Sequence, residues 1–212
     1  DSAIIKVRGK GGHGAMPPAT ADPVVAASSL VMALQTVVSR NVDPLQMAVV
    51  TVGAFHAGEA NNVIPPHATL RLSVRALDRD VRTLLQQRIT ALAQQQAASF
   101  GCTAEVEYRP GYCVLVNTRA ETDFAREVAL ELVGPGRVTL QAPALPGSED
   151  FAFMLEKVPG SYLLIGNGDG TDGGTFAGHA CMVHNPGYDF NDASLPVGAA
   201  YWALLAERFL VE

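Results

Sequence analysis

ATLRLSVRAL, residues 68–77, alternates apolar and polar side chains: Leu70, Leu72, Val74 and Ala76 fall on one face, Thr69, Arg71, Ser73 and Arg75 on the other. A period of two predicts an antiparallel strand with one buried and one wet face. Working outward, residues 2–9 alternate in the same way, with Ala3, Ile5 and Val7 opposed to Lys6 and Arg8, and QMAVVTVGAF at 46–55 is an apolar strand. Between them Asp22 is a good N-cap for a helix whose first turn holds Pro23, where the missing N–H costs nothing. Val24, Ala27, Val31, Leu34 and Val38 give that helix an apolar stripe. Asp78 caps a second helix carrying Val81, Leu85, Ile89 and Leu92, and CTAEVEY at 102–108 closes the set. The order βαββαβ is the split-βαβ, ferredoxin-like plan of the α+β class.

RPGYCVLVN, 109–117, has the turn residues of a crossing between domains, so residues 1–109 and 110–212 are read as separate. In the second part, a helix ends at Gly134-Pro135-Gly136 and a short one follows Ser148-Glu149-Asp150. SYLLIGNG at 161–168 is expected to be a buried strand, and a last helix starts near Ser194, carrying Tyr201, Trp202, Leu205 and Phe209. One strand is too few for a sheet, so this part reads as a portion of something larger.

Fifteen Lys and Arg against 21 Asp and Glu leave a net charge of −6, and no block of five like charges occurs. Both facts argue against nucleic acid and against a polybasic membrane patch. The apolar runs fall short of the roughly 20 residues a membrane-crossing helix needs, and the first residues lack the layout of a signal peptide. Cys102, Cys113 and Cys181 are odd in number and show no CxxC, which suits reduced thiols in a cytoplasmic protein.

Five histidines offer no metal-ligand spacing. In VHNPGYDFND, 183–192, Pro186 and Gly187 make a turn after His184, and Asp189 or Asp192 could take the second imidazole N–H and orient the ring for a metal. In GKGGHGAMPP, 9–18, glycines around His13 allow close backbone approach and an exposed imidazole; an incidental loop histidine is the plainer alternative. GEANNVIPP, 58–66, offers an amide from Asn61 or Asn62 or simply a turn. Arg75 has the forked guanidinium that grips a carboxylate, or is a solvated arginine. GSEDF, 147–151, sets Glu149 and Asp150 at a helix start, where capping alone would explain them, and Ser148 is not in a GxSxG elbow. GNGDGTDGG, 166–174, is spaced like a phosphate loop but no amphipathic helix follows, so it is read as a loop near a site.

Taken in order, GKGGHGAMPP, GEANNVIP with RLSVRALD, GSEDFAFML, IGNG and HNPGYDFNDASLPVGAAYWALL resemble the M20 metallopeptidase/amidohydrolase family, in its hippurate hydrolase and indole-acetyl-amino-acid hydrolase branch. The resemblance implies that 1–109 is a lid and dimerisation domain, and that 110–212 is the C-terminal portion of an α/β metallohydrolase catalytic domain. It implies hydrolysis of the amide bond of an N-acyl amino acid, with two divalent metal ions (zinc, manganese, cobalt or nickel) and a homodimer formed through the lid. His184 would be the last metal ligand and Glu149 an acid beside the metals. His13 would enter the partner subunit's site to stabilise the tetrahedral intermediate, while Asn62 and Arg75 bind the substrate carboxylate. Pro18 departs from the pattern, standing where the family often has histidine. The family's remaining metal ligands and its glutamate base have no counterpart here, so the 212 residues alone are expected to be inactive. The alternatives are a non-catalytic dimerising module, or a dipeptidase or carboxypeptidase of the same superfamily.

Overall fold

The computed structural model describes residues 1–168, 181 and 183–211. The chain forms two compact units, one of Asp1–Val114 with Leu145–Asp150, the other of Leu115–Ala144 with Phe151–Glu212.

In the first unit the alternating segments become strands β1 (Ser2–Arg8), β3 (Ala48–Ala57), β5 (His67–Ala76) and β6 (Thr103–Arg109). They pair in the order β3-β5-β1-β6, all antiparallel, with Ile5 opposite Leu70 and Val106. Helices α1 (Pro23–Asn41) and α2 (Arg79–Ala98) connect them, which is the ferredoxin-like plan expected. Asp22 and Asp78 cap the two helices, each accepting from backbone N–H groups of the first turn. Two-residue strands β2 (Gly12–His13) and β4 (Val63–Ile64) form a separate ladder.

One face of the sheet and the facing stripes of the helices make the core. Ile5, Val7, Leu70 and Val74 from the sheet meet Leu30, Leu34 and Val37 from α1 and Leu85 and Ile89 from α2, all essentially inaccessible to water. Each such aliphatic side chain contributes roughly 1.5–3 kcal/mol by leaving water. The stripe of α1 is rotated from the one expected: Ala26, Ala27, Leu30, Leu34 and Val37 are buried, while Val31 and Val38 lie at the margin. Small Ala26 and Ala27 let α1 lie close, so its centre line follows them and not the larger valines. By length and composition Pro23–Asn41 would qualify to cross a membrane, which the apolar runs alone did not suggest; here its apolar stripe is core.

The carboxylate of Asp1 ties the beginning of this unit to its end. It accepts from Arg82 Nε at 2.8 Å, the Tyr108 hydroxyl at 2.8 Å and the Gly111 N–H at 2.7 Å. Its side chain is only 4% exposed.

The second unit is helical: α3 (Arg119–Val133), α4 (Phe151–Leu155) and α5 (Ser194–Val211). Helix α3 stops at Gly134, whose φ of 79° suits a residue without a side chain. Tyr201 of α5 donates to the Ala125 carbonyl at 3.1 Å, and Phe124 meets Phe209 edge-on at 6.3 Å. Residues 161–168 are not the buried strand expected. They pair with no strand among the described residues, and Leu164 and Ile165 are 67% and 57% exposed. The reason is that no strand lies among the described residues of this unit to pair with them. Side-chain amides take over instead: Asn117 bonds both backbone groups of Tyr162, at 2.9 and 2.8 Å.

Candidate functional site

His13 and Asn62 lie 49 positions apart in sequence, yet backbone hydrogen bonds lock them side by side. In the β2–β4 ladder His13 stands opposite Val63, and the Gly14 N–H donates to the Asn62 carbonyl at 2.8 Å. The glycines make this approach possible. A Cβ on Gly14 would come within 2.9 Å of the Asn62 carbonyl oxygen, and one on Gly11 within 2.6 Å of that of Ile64. The His13 ring is oriented from its own loop, Nδ1 accepting the Ala15 N–H at 3.0 Å. Both side chains are exposed at the tip of a small ribbon.

Arg75 is elsewhere in the same unit. It lies near the far end of β5, opposite Val49 on β3, on the wet face of the sheet. Eight residues separate His67 from Arg75, about 26 Å at the usual strand rise, and the His13–Asn62 pair lies past the His67 end. Arg75 Nη1 donates to the Ser148 hydroxyl. Glu149 follows, half-buried.

His184 lies in the second unit, exposed, with a φ of 70° that is unusual for a residue with a side chain. The turn after it closes through Asn185, whose Oδ1 accepts the Gly187 N–H at 2.8 Å. Asn167 braces the next residues, donating to the Asp189 carbonyl at 2.7 Å and accepting the Asn191 N–H at 2.9 Å. Among the described residues no hydrogen bond joins the imidazole to Asp189 or Asp192, which are held through their backbone carbonyls. Among the described residues no three His, Cys, Asp or Glu side chains assemble as a metal site, so the described residues do not by themselves fit the two metals implied by the motifs. Residues 169–174 of the glycine-rich loop lie outside the described residues. No disulfide joins Cys102, Cys113 or Cys181.

Sequence reading missed two contacts, Ser148 on Arg75 and the Asp1 cluster. Neither carries a local pattern, since each joins residues 73 or more apart.

Residues 1–100 match the peptidase dimerisation domain of the M20 family. The chain belongs to the M20 family. Matches run almost end to end: 40% identity to the hippurate hydrolase of Campylobacter jejuni, over 99% of this chain and 52% of the relative. An IAA-amino acid hydrolase of Arabidopsis thaliana is also 40% identical, over 97% of this chain and 46% of its own length. The N-acetyl-L-cysteine deacetylase of Bacillus subtilis is 34% identical, over 100% and 48%. The crystal structure of the Bacillus subtilis YXEP protein, a dinuclear metal binding peptidase of the M20 family, superimposes with a TM-score of 0.71 at 27% identity, covering 97% of this chain and 49% of that one. The family and the fold read from the motifs are thus borne out. This M20 chain spans about half the length of these curated relatives, two of them named as hydrolases and the third as a deacetylase.

Proposed function

We propose that this chain supplies the dimerising unit and part of the catalytic unit of an amidohydrolase that cleaves N-acyl amino acids of the hippurate kind. The observation that carries the reading is the separation within one unit of an imidazole–amide pair from a guanidinium. A small N-acyl amino acid, roughly 10 Å long at backbone dimensions, is too short to touch both from a single copy. Two copies solve this. One protomer brings His13 and Asn62 to the site, and the other brings Arg75. Arg75 grips the free carboxylate through its fork. Asn62 donates its amide, and the His13 imidazole donates to the oxygen that becomes negative as the amide carbonyl is attacked.

The surface that would pair the copies is the β3 edge with the helix beside it. Strand β3 is ten residues long, and among the described residues its outer edge has no neighbour. Helix α1 exposes Val25 and Met32 nearby, at 52% and 72%. The opposite edge, β6, is guarded by Glu105 and Glu107. Isologous pairing of the β3 edges therefore suits a two-fold homodimer.

A divalent metal pair remains part of the proposal through the relatives, with His184 as one ligand and Glu149 as support. These 212 residues alone are expected to be inactive.

Mixing tests the reading. In the complete protein, His13→Ala and Arg75→Met should each lose more than about 100-fold in benzoyl-glycine hydrolysis, the loss of one oxyanion donor or one charged contact. Co-expressed, they should regain activity, because a mixed dimer holds one site with neither defect. If the mixture stays as inactive as its parents, the shared site is refuted.

A further inference from the structure

We propose that Ser148 is a positioning residue for Arg75, holding the guanidinium ready for the substrate carboxylate without spending its charge; this rests on the carboxylate-binding reading of Arg75. The hydroxyl accepts from Nη1 of Arg75. Among the described residues Arg75 forms no ion pair, whereas Arg8, Arg82, Arg109, Arg126 and Arg208 each pair with a carboxylate. Arg75 instead donates to a neutral hydroxyl, that of Ser148.

That difference has chemical content. A carboxylate partner would neutralise the guanidinium and compete with an incoming anion. A hydroxyl fixes one nitrogen, leaves the other nitrogens to bind in a two-pronged way, and keeps the positive charge. Ser148 comes from Leu145–Asp150, a segment that joins the first unit although it is far from it in sequence. The contact therefore spans 73 residues and stiffens a long, flexible side chain that its own strand does not hold. Ser148 Oγ also keeps its own proton for donation, since as acceptor from Arg75 it has not used it.

The experiment is a double-mutant cycle on the complete protein, with benzoyl-glycine as substrate. Ser148→Ala should raise KM about 10-fold, the loss of one hydrogen bond to a charged group, while kcat stays within about twofold. Ser148→Thr, which keeps the hydroxyl, should restore KM. In an Arg75→Met background Ser148→Ala should add nothing, because the group it positions is gone. An unchanged KM in Ser148→Ala beside a raised KM in Arg75→Met overturns this inference alone. So does an equal rise in both backgrounds. An unchanged KM in Arg75→Met, or no turnover of benzoyl-glycine at all, removes the carboxylate reading and this inference with it.

Discussion

Asp1 shows what a single buried carboxylate demands of its neighbours. With 4% of its side chain exposed, its charge is tolerable only because Arg82, Tyr108 and Gly111 all donate to it. Burial pushes the Tyr108 phenol up from its ordinary range, Arg82 partly opposing, so the hydroxyl stays a donor at any physiological pH. Tyr108→Phe should cost about 1–3 kcal/mol by removing one donor. Arg82→Met should cost more, about 3–5 kcal/mol, because it leaves the carboxylate without its counter-charge. Urea unfolding of the two variants measures both, and an Arg82→Met midpoint no lower than that of Tyr108→Phe would contradict the ordering. At this scale the sequence was legible for residue types and illegible for pairs. The glycines around His13 announced a close approach, but nothing within GKGGHG says that Asn62 is what approaches. Arg75 and Ser148 likewise read as separate polar residues until the chain brings them together.

Elements were read best where their signals were local. Asp22 and Asp78 mark two helix starts because capping acts within three residues, and 68–77 is a strand because alternation is visible along it. SYLLIGNG misled because a strand is a property of two segments, and an apolar run does not reveal whether a partner exists. Cross-strand charges add a testable feature to β1 and β6. Arg8 Nε donates to Glu105 at 2.7 Å, and this hydrogen bond holds the Glu105 carboxyl below its ordinary range. A lowered folded-state value means that the pair stabilises above the ordinary carboxylate range and that the benefit is lost as pH falls through the folded value. The stability difference between the wild-type chain and Glu105→Gln should therefore be small but present at neutral pH, and should fall away as the pH is lowered below the ordinary carboxylate range. It should also shrink in about 1 M salt, as both side chains are largely exposed. A gap that widens on acidification would contradict the assignment.

At the scale of the whole molecule, association is the property that matters most to the proposed site. Met32, 72% exposed on α1 beside the β3 edge that no described strand pairs, sits where the proposed second copy would cover it. Met32→Glu places a charge there, so light scattering should show dissociation to monomers while the circular dichroism of the unit is unchanged. A dimer that survives Met32→Glu together with Val25→Glu would move the interface elsewhere. The sequence foretold a dimerising unit only through its resemblance to M20 proteins; a free strand edge becomes visible once strand order is known. The meeting of Asp1 with Gly111 has one more consequence. A fold whose entrance and exit nearly touch can be grafted into a surface loop of a host, or excised from it, as one cassette. The β3–β5–β1–β6 sheet is therefore portable, and a circularly permuted version joined across that gap should need only a few linking residues.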